Sequence, residues 1–220
     1  MLMGGKNVTG KEKIYAVIII AVFCLIIVTG VGNFRAKQLA VDLAGQRVSN
    51  TLTLAVADFD NEKLQELIQT QNQQNAYYGE LRAKLMQLKT EHQLENIYML
   101  YKDEQNKVWF FVVDARAEDD PAHLALGQLE NNASSAVENT LKGKVVQGEY
   151  HTTSLGTFVS SYQEVKDAGG KTYAVLAGDI DVKNVTEFLY LTRYVQFGIM
   201  AVSLLLIGLI VYLSGRKNIN

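Results

Sequence analysis

The chain has 220 residues, of which 48% are hydrophobic and 20% charged, with a formal net charge of −2. A single cysteine excludes a disulfide framework, and the near-neutral balance excludes a basic nucleic-acid binder. The charge is unevenly placed: Arg35 to Arg193 carries 16 Lys and Arg against 22 Asp and Glu, while the two ends carry five basic residues and one acid.

The first element is an uncharged run from Ile14 to Gly32, IYAVIIIAVFCLIIVTGVG. As a helix it would span about 28 Å, close to the hydrocarbon thickness of a bilayer. A cleaved signal peptide is the competing reading. The run is longer than the usual signal core, and Val28-Thr29-Gly30 makes a poor cleavage site. Cys24 follows Phe23, where a lipoprotein signal needs a small residue, so it reads as an ordinary helix cysteine. A second run, Tyr194 to Ser214, has Gln196 as its most polar residue. Lys6, Lys11 and Lys13 before the first run, with Arg216 and Lys217 after the second, place both termini in the cytoplasm. The expected layout is a cytoplasmic N-terminus (1–13), a first span (14–32), an outer domain (33–193), a second span (194–214) and a short cytoplasmic tail (215–220).

After the first span, 34–56 reads as helix, with Leu39, Leu43, Val48, Leu52 and Val56 as its apolar stripe. Asp58 to Asn61 interrupts it, and Asn61 is placed to cap a short turn over 62–69. A Gln/Asn-rich loop follows, then a helix over 77–92 with Tyr78, Leu81, Leu85 and Leu88 on one face. From Glu95 the period changes. Ile97–Tyr101 and Val108–Val113 are rich in aromatic and β-branched residues around Asp103 to Asn106, which predicts a hairpin. Short helical potential lies at 122–130 and 134–141. Val145–Tyr150, Thr157–Val165 and Thr172–Ile180 read as strands, the last two joined by a turn containing Gly169 and Gly170. From Val182 the pattern is helical and enters the second apolar run without a breaker.

Three stretches in order carry a resemblance: DFDNEKLQELI with YYGELRAKLMQLKTEH, then ENIYMLYKDEQNKVWFFVVDARAEDDP, then GTFVSSYQEVKDAGGKTYAVLAGDID. Together they resemble the single-Cache (extracytoplasmic PAS-like) sensor domain of bacterial transmembrane receptors. The resemblance implies an α+β fold: a long N-terminal helix, then an antiparallel sheet with a helical insert, flanked by two transmembrane helices. It also implies a small-molecule ligand, an inner-membrane location with the domain outside, and a possible homodimer. Family members carry cytoplasmic kinase, cyclase or chemotaxis modules; only Gly215 to Asn220 follow here, so output is expected through a separate signalling partner. Two alternatives stand beside this. One is an envelope interaction protein without a ligand; the other is a truncated receptor of the histidine kinase, diguanylate cyclase or chemoreceptor type.

No catalytic constellation, metal site, cofactor motif or nucleic-acid patch is legible. His92, His123 and His151 are scattered without ligand spacing. Glu118-Asp119-Asp120 reads as a solvated turn before Pro121, and the Asn-X-Ser/Thr triplets at Asn7, Asn132 and Asn184 as chance. Strand alternation puts Tyr173, Val175, Ala177 and Asp179 on one side of the last strand, with Ala174, Leu176 and Ile180 on the other. Asp179 breaks an apolar side and has two readings: a ligand-facing carboxylate, which the resemblance pairs with an amine, or a strand-end residue bonding backbone amides. Asp114 carries the same ambiguity. Among Tyr98, Tyr101, Trp109, Phe111, Tyr150 and Tyr162, core packing and pocket lining both remain open. Ser160 and Ser161 leave room and donate hydrogen bonds. The candidate ligand-binding set is Asp179, Tyr162, Ser160, Tyr98, Asp114 and Tyr150.

Overall fold

The structure, a computed structural model, describes residues 10–131 and 133–217. Of the three Asn triplets, Asn7 and Asn132 lie outside the described residues. The chain separates into two compact units, Leu39–Val185 and the combination of Met1–Gln38 with Thr186–Asn220.

The terminal unit is helical. Helix α1 (Gly10–Ala57) begins in it and helix α5 (Val182–Lys217) ends in it. Among the described residues, one helix is long and apolar enough to cross a membrane, α1 over Tyr15–Ala57; the apolar part of α5 is Arg193–Leu209. Ile19, Ile20, Phe23 and Val28 are all more than half exposed. Gln196 reaches Gly32: a Cβ on that glycine would lie 3.4 Å from the Gln196 amide nitrogen.

The Leu39–Val185 unit is α+β. After α1 come α2 (Asn61–Thr70) and α3 (Ala76–Glu91), then strands β1 (Asn96–Asp103), β2 (Val108–Asp114) and the short β3 (Leu129–Glu130). Helix α4 (Ser135–Leu141) follows, then β4 (Val146–Thr153), β5 (Gly156–Lys166) and β6 (Thr172–Asp181). The six strands form one antiparallel sheet in the order β3-β2-β1-β6-β5-β4. Local chemistry sets the boundaries. Asp60, rather than Asn61, caps α2 by accepting the Lys63 N–H, and Asn75 caps α3 by accepting the Tyr77 N–H. The expected helix over 122–130 is instead turns and β3. Its backbone is drawn into the sheet edge, where the Phe111 N–H donates to Gln128 and the Gly127 N–H to Phe111.

The two sheet faces differ. On one, α1, α2 and α3 bury Val48, Leu52, Leu64, Leu67 and Leu85 against Ile97, Met99, Val113 and Leu176. Each such side chain contributes about 1.5–3 kcal/mol relative to exposure. The buried stripe of α1 is Ala44, Val48, Leu52 and Ala55, whereas Leu39 and Leu43 are more than half exposed. The expected stripe is therefore rotated at its start, because small residues bring the helix close to the sheet. Gly178 of β6 lies under α1 so tightly that a Cβ there would sit 2.9 Å from Val48 Cγ1. Closer still, a Cβ on Gly45 would lie 2.5 Å from both N and Cα of Gly148. Gly148, at φ +72°, sits in a bulge of β4 between Val146 and Glu149. The Ser161 hydroxyl joins the two glycines, donating to the Gly45 carbonyl (2.8 Å) and accepting the Gly148 N–H (3.2 Å).

On the other face a smaller cluster holds Leu100, Trp109, Phe111, Tyr162, Val175 and Ala177 under Ala136 and Val137 of α4. Glu138 fastens α4 to the sheet by accepting bonds from Lys102 (2.7 Å) and the Trp109 indole (3.1 Å).

Candidate ligand-binding site

Antiparallel register places directly opposed residues on the same face. Asn96 opposes Asp179, Asp179 opposes Ser160, and Ser160 opposes Glu149, so four strands contribute one polar row on the α4 face. The neighbouring row runs Asp114, Tyr98, Ala177, Tyr162.

Asp179 is 6% exposed, and its Oδ1 accepts a 2.5 Å bond from Ser160. Burial pushes its pKa up from 3.8 to about 6; the Ser160 hydrogen bond, His151 and Arg116 partly offset this, and Asp114 adds to it. The Ser160 hydroxyl also lies 3.5 Å from His151 Nδ1 on β4. Tyr162 donates to Glu149 Oε2 at 2.6 Å, and burial raises its phenol above the usual range. The Tyr98 phenol is raised well above its ordinary value, first by burial and then by the Asp179 charge. Tyr98 also packs against Phe111 with ring centroids 5.9 Å apart.

Asp179, Ser160, Tyr98 and Tyr162 are thus brought together. Asp114 is adjacent but engaged. Fully buried, it accepts the N–H groups of Arg116 (3.1 Å) and Leu124 (2.8 Å), and so shapes the loop after β2. Arg116 Nη1 lies 3.7 Å from Asp114 and donates to the Ala122 carbonyl. Tyr150 does not join the site. It opposes Val159, a residue of the helix-side core, and is 48% exposed. The Gly148 bulge sets this phase: it offsets the register so that Glu149, not Tyr150, faces the row. Ser161 likewise faces α1. Tyr173 also departs from expectation, packing on the helix side with its hydroxyl 3.1 Å from Asn61.

Four contributors are absent from the sequence-based set: Asn96, Arg116, Glu149 and His151. The register of β1 against β6 was the available signal for Asn96, but it requires the pairing to be known. Glu118 of the acidic cluster pairs with Arg82 at 2.8 Å, and among the described residues no three His, Cys, Asp or Glu side chains gather to hold a metal. A separate open concavity of about 220 Å³ lies on the helix side near Ile68, Tyr101, Tyr173 and Lys171. Asp167, also in its lining, is already committed to the Gly169 and Lys171 N–H groups.

The solved structures similar to this chain include sensor and ligand-binding domains of a histidine kinase and a chemoreceptor. The E. coli DcuS sensor domain has 17% identity and a TM-score of 0.47, covering 68% of this chain and 96% of that one. The V. cholerae histidine kinase DctB sensor domain has 13% identity and a TM-score of 0.48, covering 68% and 56%. The ligand-binding domain of the Campylobacter jejuni chemoreceptor Tlp3, in complex with 4-methylisoleucine, has 11% identity and a TM-score of 0.38, covering 69% and 62%. The chain therefore spans less than two thirds of the latter two. No family model and no curated protein matches the chain.

Proposed function

We propose that this chain is a membrane-anchored sensor module whose extracytoplasmic unit binds a small, amine-bearing molecule at the Asp179 row. The observation that carries the reading is the buried Asp179 carboxylate, set in a polar row within the sheet with Ser160 as its hydrogen-bonding partner. A buried acid of this kind costs stability unless a cation or proton compensates it. An ammonium seated beside Asp179 supplies that compensation, and Tyr98 and Tyr162 supply aromatic walls. The basic residues flanking the apolar runs favour both termini inside, with 194–214 as a second span. The Asp181 carboxylate accepts the Lys183 N–H at 2.8 Å where β6 passes into α5. A change in the pose of β6 has a short route into that helix, and from there to a signalling partner. The ligand drives such a change only through different affinities for the two poses.

The test is a thermal-shift screen of the full chain in lipid nanodiscs against amino acids, amines and carboxylates. A ligand at one hundred times its Kd adds about 2.7 kcal/mol of stability. An amine hit that Asp179→Ala abolishes, with the fold intact by circular dichroism, supports the reading. A broad screen without any stabilising compound sinks it and favours a protein-interaction role.

A further inference from the structure

The least explained residue of the row is Asn96. It is fully buried, and among the described residues neither its Oδ1 nor its Nδ2 has a hydrogen-bond partner. Buried side-chain amides are ordinarily paired, because an unpaired one forfeits its hydration without return. A packing role alone would be met by an apolar residue, as at Leu100 further along the same face of β1. Asn96 stands directly opposite Asp179, whose Oδ1 is occupied by Ser160.

We propose that Asn96 determines ligand specificity in this row, selecting a molecule whose ammonium is adjacent to a primary carboxamide. The assignment rests on the reading of the row as the ligand site and extends it to the group next to the amine. The chemistry follows from what each side chain offers. Asp179 supplies negative charge and an acceptor for the ammonium. Asn96 presents a donor and an acceptor in one plane, and a carboxamide presents the complementary pair, so two parallel hydrogen bonds form at once. A bare carboxylate supplies only acceptors and would stand near the Asp179 charge. A plain alkylammonium satisfies Asp179 and leaves Asn96 unpaired.

The probes are glycinamide and ethylammonium, titrated by calorimetry into the full chain in nanodiscs near neutral pH. Wild type is expected to bind glycinamide about tenfold more tightly than ethylammonium, as two net hydrogen bonds imply. In Asn96→Leu, close in shape and without the amide, that preference should vanish while ethylammonium affinity stays within about twofold. Asn96→Ala repeats the measurement should the leucine variant fold poorly. Equal binding of both probes by wild type would mean that the amide is served by ordered water only, and overturns the assignment. So does a preference that survives both variants. Either result leaves the amine site standing, because ethylammonium still binds and still depends on Asp179. Failure of both probes to bind wild type sinks the assignment together with the amine site.

Discussion

Replacing Asp179 with asparagine should stabilise the ligand-free protein at neutral pH, and the size of the gain follows from the site. In the folded chain the carboxyl titrates at about 6 rather than 3.8, chiefly because it is buried. Below about pH 4 both folded and unfolded chains hold the proton, and the group contributes nothing to stability. Between about pH 4 and pH 6 the folded chain keeps a proton that the unfolded chain releases, so stability falls as pH rises. Above about pH 6 the loss is complete, at about 3 kcal/mol. An uncharged amide in its place would carry no such penalty. The difference in unfolding free energy between Asp179→Asn and wild type should therefore grow from near zero at about pH 4 to about 3 kcal/mol at about pH 7. Trp109 is the only tryptophan and lies buried in the Leu39–Val185 unit, so its fluorescence during urea titration reports the relevant transition. Taking the difference between variant and wild type cancels the other titrating groups. A difference that stays flat over this range, or that shrinks as pH rises, refutes the reasoning.

Two further variants test the scaffold. Gly45→Ala would drive a methyl group into the Gly148 backbone, which has no side-chain freedom with which to retreat. The unit should lose about 3 kcal/mol, seen as a lower urea midpoint with unchanged slope. Glu138→Gln should loosen α4 by weakening its bonds to Lys102 and Trp109. Hydrogen exchange over 135–141 should then accelerate several-fold while α2 and α3 are unaffected. Lys102 first, and then Trp109, hold the Glu138 pKa below its ordinary value. The fastening is therefore present above the unfolded carboxylate range and lost as pH falls through the depressed value.

The elements were largely legible because their signals are local. The turn at Asp103 to Asn106, the aromatic and β-branched strands beside it, and the apolar face of α3 all act over a few residues, whereas the cap of α2 fell one residue earlier than expected, on Asp60. What escaped was set by pairing between distant segments. The phase of β4 depends on one bulge at Gly148, and without it Tyr150 and Glu149 exchange faces. The polar row was only half visible for the same reason. Asp179 and Ser160 stood out as polar residues in apolar strands, whereas Asn96 lay just outside the strand expected at Ile97–Tyr101 and joins the row only through the pairing of β1 with β6. The helix expected at 122–130 was lost to the sheet edge, where hydrogen bonds between the Phe111 backbone and those of Gln128 and Gly127 outweigh a weak local preference.

The contact between Gly45 and Gly148 also has a mechanical meaning. Backbone meets backbone there with no side chain between them to yield, so the contact acts as a hinge pin rather than a cushion. From Gly45 to Ala57, α1 extends about 18 Å. Tilting the helix about that pin by about 3° would carry Ala57 by about 1 Å. Ser161 sets the pin from β5, beside Ser160, which holds Asp179. Adjacent residues of one strand thus face opposite sides of the sheet, one holding the pin and the other the carboxylate. A displacement of β5 at the polar row would for that reason also displace the contact between Gly45 and Gly148.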